Sequence, residues 1–157
     1  MSDVIMCGLD IASRKTGIAK LVNGELDDYD LLDYADIKDS DLRVDEMSRA
    51  IIKKLDYYSP TILVVEDTWN KHNIQTVKML SELIGVARGW AIANKCNWNK
   101  LLPSEWRRYC GIEQGNKKRP DLKQASIDYV KEKYNIEVND DVADSIAMAD
   151  GYCNIFD

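Results

Sequence analysis

Four carboxylates in three separate places hold most of the chemistry that this chain can perform. Asp10 follows the apolar run Val4-Ile5-Met6-Cys7-Gly8-Leu9 and precedes Ile11-Ala12-Ser13. Glu66 ends the run Thr61-Ile62-Leu63-Val64-Val65. Asp141 and Asp144 open a late apolar segment that continues Ser145-Ile146-Ala147-Met148-Ala149. Two of these acids punctuate short β-type apolar runs. The other two stand three residues apart, a helical neighbour spacing that puts both on one face. A strand has no structural use for an acid at its apolar centre or tip, and burying a charge there is costly unless a cation is bound. Converging acids of this kind read as a divalent-metal site, because hard oxygen ligands suit Mg²⁺ or Mn²⁺. Asp141 has a second use, as a cap for the last helix that complements its N-terminal dipole.

The elements that must position these acids follow from pattern. Residues 3–11 read as a strand buried on both sides, and Ser13-Arg14-Lys15-Thr16-Gly17 as a polar turn. Ile18 to Val22 reads as a second strand, Asn23-Gly24 is a hairpin signal, and a third strand falls within residues 30–37. A helix over 41–58 follows, with Leu42, Met47, Ile51 and Leu55 near helical spacing and Asp41 available as its cap. Ser59-Pro60 ends it and starts the strand 61–66. Residues 73–95 form the longest helical stretch, with Ile74, Val77, Leu80, Leu83, Ile84, Ala87, Trp90 and Ala91 at apolar positions. That stripe is wide for a helix that covers only a sheet. A short strand near 99–102, a short helix from Pro103, a basic glycine-containing loop over 111–120 and helices over 121–134 and 140–153 complete the chain. The expectation is one α/β domain over residues 1–157, a mixed sheet flanked by helices.

Bulk properties narrow the class. The chain has 157 residues, 45% hydrophobic and 31% charged, as an ordinary globular domain with a real core does. No run approaches the roughly 18 apolar residues of a membrane span, so no membrane partner is expected. Asp3 and Asp10 interrupt any signal-peptide pattern. Cys7, Cys96, Cys110 and Cys153 are scattered without a Cys-x-x-Cys pair, which argues against zinc or a disulfide framework and fits a reducing cytoplasm. Net charge is −6. Its distribution is uneven: residues 1–70 carry 8 Lys+Arg against 15 Asp+Glu, residues 71–135 carry 13 against 6, and residues 136–157 carry none against 6. Nucleic-acid binding depends on a local basic face more than on the global sum, and the middle of the chain supplies one.

Three motifs carry a resemblance to a known family. Gly8-Leu9-Asp10-Ile11-Ala12-Ser13-Arg14-Lys15-Thr16-Gly17 is similar to the Gly-x-Asp-x-Gly-Ser-Arg-x-Thr-Gly opening of the RuvC Holliday-junction resolvases, with Ala12 where glycine is usual. Val64-Val65-Glu66 resembles the family's strand ending in glutamate, and Asp141-Val142-Ala143-Asp144-Ser145-Ile146-Ala147 its closing Asp-x-x-Asp-Ala-hydrophobic-Ala motif. Order and spacing match over almost the whole chain. The resemblance implies an RNase H-like fold with a five-stranded mixed sheet. It also implies a homodimeric endonuclease that nicks branched DNA, such as four-way junctions, forks and flaps, with two Mg²⁺ or Mn²⁺ ions per site. Asp10, Glu66, Asp141 and Asp144 match the catalytic, metal-ligating acids, and ions ~3.5–4 Å apart would activate a water and stabilise the leaving oxygen.

The resemblance further assigns DNA contacts. Trp69 falls where family members carry an aromatic that stacks on a base near the branch point; such stacking is worth about 1–3 kcal/mol and tolerates any base. Lys117, Lys118, Arg119 and Lys123 lie where the family places lysines near the scissile phosphate, with Lys123 best in register. Arg107 matches another basic position. Such contacts add salt-sensitive affinity without reading sequence. His72, the only histidine, lies six residues past Glu66, but Asp144 already fills the place where some relatives use histidine. Two other readings compete with the resolvase: an RNase H-like nuclease acting on RNA, and a non-catalytic branched-DNA binder. Intact acids argue against the binder, which would gain by losing negative charge near phosphate.

Overall fold

The computed structural model describes residues 2–67 and 73–155. Strands β1 (Ile5–Asp10), β2 (Lys15–Val22) and β3 (Glu25–Asp33) form the antiparallel meander. The β2–β3 turn is the two-residue Asn23-Gly24, with φ of 52° and 83°. Both values are left-handed, as a hairpin turn whose twist matches its strands requires. Pairing therefore resumes at once, Val22 opposite Glu25. This corrects the third strand, expected within 30–37, to a start at Glu25. Its many acids hid it, but they suit an edge strand, where charge discourages pairing with another chain. The turn over 13–17 is also shorter than expected, because β2 begins at Lys15. Thr16, fully buried, closes the link by donating to Ala12 O at 2.9 Å and accepting from Ala12 N at 3.2 Å.

Strand β4 (Ile62–Glu66) runs parallel to β1, and β5 (Asn97–Leu101) parallel to β4, giving the sheet order β3-β2-β1-β4-β5. Helix α1 (Ser40–Tyr58) lies between β3 and β4. Asp39, not Asp41, is its cap, accepting from Leu42 N at 2.9 Å. Helix α2 (Ile74–Ala93) lies between β4 and β5. Helices α1 and α2 cover one face of the sheet, where Met47, Ile51, Leu55, Leu83 and Ala87 meet Cys7, Leu9, Ile18, Leu63 and Val65. Only Leu83, Ala87, Trp90 and Ala91 of α2 are buried; Ile74 and Ile92 are 65% and 64% exposed.

The opposite face is covered by α3 (Pro103–Tyr109), α4 (Arg119–Tyr134) and α5 (Asp140–Asn154). Period-two alternation decides this: Met6, Ala19, Leu21 and Val64 point away from α1 and toward α5. Helix α5 is apolar or small nearly all round, as a helix buried on several sides must be. Its Asp150, 1% exposed, accepts from Tyr129 Oη, from Lys133 Nζ at 2.6 Å and from Tyr134 Oη at 2.7 Å. All three donors come from α4, so a satisfied buried charge ties α4 to α5. Among the described residues no helix is long and apolar enough to cross a membrane.

Candidate active site

Asp10 and Glu66 end adjacent parallel strands. The register Leu9 opposite Val65 carries on to bring the two acids side by side. Alternation places Asp10 with Met6 and Gly8, and Glu66 with Val64, on the face that α5 covers. The other two acids arrive on the first two turns of α5. Asn139 is the cap of that helix, accepting from Val142 N at 2.9 Å. This removes the capping role open to Asp141 and leaves its carboxyl for other partners. The helix dipole still favours negative charge there.

Two glycines of the first motif explain how α5 comes so close. Gly17 pairs directly with Asp10 across the β1–β2 ladder. A Cβ there would lie 2.5 Å from the carbonyl carbon of Asp141 and 2.9 Å from Val142 N. A Cβ at Gly8 would lie 3.1 Å from Ala149 Cβ and inside the contact distance of the Ser145 carbonyl. The α5 backbone therefore rests directly on β1 and β2, with Asp141 opposite the Asp10–Gly17 pair.

The electrostatics record the convergence. Burial pushes the Asp10 carboxyl well above its ordinary range, and the negative charges of Glu66, Asp144, Asp141 and Asp140 add to the rise. Burial raises Asp144 to about 7; the Ser126 hydroxyl and the Arg107 charge pull it back, and Glu66 pushes it up. Asp141 is raised by burial and by Asp140, against Lys123. Asp140 is lowered, chiefly by the hydrogen bond from Lys123 Nζ at 2.7 Å. Burial and neighbouring like charge both disfavour the ionised carboxylates, and a divalent cation bound among them would offset that cost. Among the described residues no three acids, histidines or cysteines are already set as metal ligands. One further observation favours a cation: Asp144 Oδ1 is buried with no hydrogen-bond partner among the described residues. An oxygen-only donor set with an unsatisfied buried carboxylate oxygen fits Mg²⁺ or Mn²⁺.

The basic residues divide. Lys123, on the second turn of α4, is bonded to Asp140 and so stands beside Asp141. Arg107, on α3, lies 5.0 Å over the Trp106 ring, and its charge acts on Asp144. Its Nε is buried without a partner among the described residues. Lys117 and Lys118 are exposed on the loop before α4, and Arg119 opens that helix. Lys117 borders a surface cavity with Tyr129 and Lys133 that none of the four acids lines. Trp69 and His72 lie outside the described residues. The structure adds three side chains to those expected. Asp140 holds Lys123, Ser126 acts on Asp144, and Trp106 donates its indole N–H to Glu66 Oε2 at 3.0 Å. A doubled Asp140-Asp141 was visible in the chain, but nothing local to Trp106 or Ser126 announces a partner many residues away.

No protein-family model matches the chain, and no curated protein matches it. Solved structures do. RuvC of Thermus thermophilus in complex with a Holliday junction substrate superposes with a TM-score of 0.78 over 98% of this chain and 95% of that chain, at 12% identity. The fold is that of RuvC. A second Thermus thermophilus RuvC structure gives a TM-score of 0.76 at 13% identity with the same coverage. The yeast mitochondrial Holliday junction resolvase gives 0.65 at 15% identity, over 96% of this chain and 78% of that one. In this fold the three resembling motifs fall at the tip of β1 with its turn, the tip of β4, and the start of α5.

Proposed function

We propose that this protein is a metal-dependent, structure-selective endonuclease that nicks Holliday junctions and related branched DNA. The observation that carries the reading is the convergence of Asp10, Glu66, Asp141 and Asp144 at one end of the sheet of a RuvC fold. These four acids would hold two Mg²⁺ or Mn²⁺ ions. When bound, the ions would stabilise the charge that builds on phosphate and leaving oxygen. Asp141 and Asp144 are held by α5 against β1 and β2, so the backbone, not side-chain chance, sets their distance from Asp10. Lys123 and Arg107 stand beside the acids, where they would hold backbone phosphates without reading bases. Trp69 is assigned the stacking role at an opened branch point on the motif resemblance alone.

A homodimer is part of the same reading. A two-fold branched substrate suits a two-fold protein, and the outer face of α2 supports one. Ile74 and Ile92 are exposed on α2, and a Cβ at Gly85 or Gly89 would meet nothing within 4 Å. The test is cleavage of labelled four-way, forked, flapped and linear DNA, with an RNA–DNA duplex beside them, with and without Mg²⁺ or Mn²⁺. Asp10→Asn and Glu66→Gln should abolish cutting and leave junction binding equal or tighter, because negative charge near phosphate is removed. Retained cutting by either variant would rule the assignment out.

A further inference from the structure

We propose that Trp106 is a positioning residue for the acid cluster, its indole N–H holding Glu66 in the orientation that receives the divalent ion. The inference rests on the metal-dependent reading above and concerns a residue that no motif marks. Trp106 is fully buried, and a buried indole N–H needs an acceptor. Its acceptor is the carboxylate at the tip of β4, at 3.0 Å.

The delivery of that donor is built into the fold. Glu66 pairs with Leu101, the last residue of β5, and Asp67 N donates to Leu101 O at 2.8 Å. The chain then turns directly into α3, with Pro103 in its first turn and Glu105 Oε1 accepting from Leu102 N at 3.0 Å. One short helical turn brings Trp106 back across the end of the sheet to Glu66. The next residue, Arg107, stacks on the same ring and acts on Asp144. One dipeptide therefore addresses one acid on a strand and one on α5. A glutamate side chain has three rotatable bonds, and a fixed donor on one oxygen removes most of that freedom before a cation arrives. Groups that orient metal-binding side chains in this way are typically worth ten- to a hundredfold in metal affinity.

Trp90 supplies the internal control. It too is a buried tryptophan that donates to a carboxylate, Asp56 Oδ1 at 2.7 Å, but from the α2 side of the sheet. The experiment measures Mn²⁺ binding to the DNA-free protein by electron paramagnetic resonance, with melting temperatures in EDTA beside it. Trp106→Phe should weaken Mn²⁺ binding roughly tenfold or more, while Trp90→Phe binds as the wild type whatever its melting temperature. Wild-type Mn²⁺ affinity in Trp106→Phe, alongside a loss in Glu66→Gln, would reduce Trp106 to a packing role and overturn the proposal. Unaltered Mn²⁺ binding in both Glu66→Gln and Asp10→Asn would bring down the metal centre itself, and the proposal with it. A second measurement needs no Trp106 variant. In ¹⁵N-labelled wild-type protein the Trp106 indole resonance should move on addition of Mg²⁺ and that of Trp90 should not. In Glu66→Gln the Trp106 response should vanish. An indole signal of Trp106 that ignores Mg²⁺ in the wild type overturns the proposal independently.

Discussion

Replacing Gly17 by alanine tests how the acids are brought together. The backbone of Gly17 is not left-handed, so conformation does not demand glycine there and space alone does. An added methyl would need about 3.4 Å and finds the Asp141 carbonyl carbon at 2.5 Å, with the oxygen nearer still. The neighbour is helix backbone, which cannot rotate aside as a side chain can. Helix α5 must therefore retreat by roughly 1 Å. Overpacking of this kind costs about 1–3 kcal/mol of stability. Misplacement by about 1 Å near the chemistry costs on the order of a hundredfold in rate. Urea unfolding should show a lower midpoint with an unchanged slope. Junction cleavage by the folded protein, assayed well below that midpoint, should fall by about two orders of magnitude. Gly24→Ala makes the comparison, since φ is +83° there and the space around it is open. It should cost stability of about 1 kcal/mol through backbone strain and leave cleavage intact. Wild-type stability and cleavage in Gly17→Ala would show that α5 does not rest on the Asp10–Gly17 pair.

Three further outcomes follow from the same geometry. In EDTA, Asp144→Asn should be stabilised relative to wild type by an amount that grows as pH rises from about 4 to about 7. The Asp144 carboxyl is raised from 3.8 to about 7 in the folded protein, so its ionised form is penalised above that window and absent below it; a pH-independent difference in melting temperature would refute this. Lys123→Ala should cost less than about 1 kcal/mol at neutral pH, since both partners of its ion pair are partly exposed. Asp140 is held low by that pair, so the cost should disappear as pH falls through its folded value. Junction binding should weaken across sequences with a flatter salt dependence; unchanged binding and salt slope by fluorescence anisotropy would remove Lys123 from the DNA path. Ile92→Asp, at a position 64% exposed, should leave the fold stable and convert a dimer to a monomer in light scattering. A wild-type protein that is monomeric at micromolar concentration, with and without DNA, would refute the dimer.

The acids were legible in the chain because each broke a local pattern: two interrupted apolar strands and two opened an apolar helix. Their meeting point was not, because it depends on β1 pairing with β4 and on α5 packing against Gly8 and Gly17, contacts between distant segments. Nor were boundaries. β3 begins at Glu25, where Asp27, Asp28 and Asp30 mask the strand signal, and only the left-handed Asn23-Gly24 turn forces the pairing. Asp39 and Asp41 are equally good caps by type; the backbone at Asp39 decided it. Most of the apolar stripe on 73–95 is absorbed by the sheet: Leu83, Ala87, Trp90 and Ala91 are buried and Leu80 and Ile84 pack against the core, while Ile74 is exposed. Trp106 and Ser126 were invisible because their partners lie 40 and 18 residues away. Propensity and spacing carry no information about contacts of that range.

The two glycine seats have a consequence for how the molecule is made. Gly8 meets Ser145, and Gly17 meets Asp141, across well over a hundred residues of chain. Contacts of such long range form late and slowly, because loop closure must precede any gain from them. Until α5 docks, Met6, Ala19, Leu21 and Val64 leave one side of the sheet bare, and Asp141 and Asp144 are nowhere near Asp10. The step that seals the sheet is the step that gathers the acids. A nascent or partly unfolded chain therefore holds an incomplete set of carboxylates, and hydrogen exchange should find the amides of β1 and of the first turns of α5 opening together.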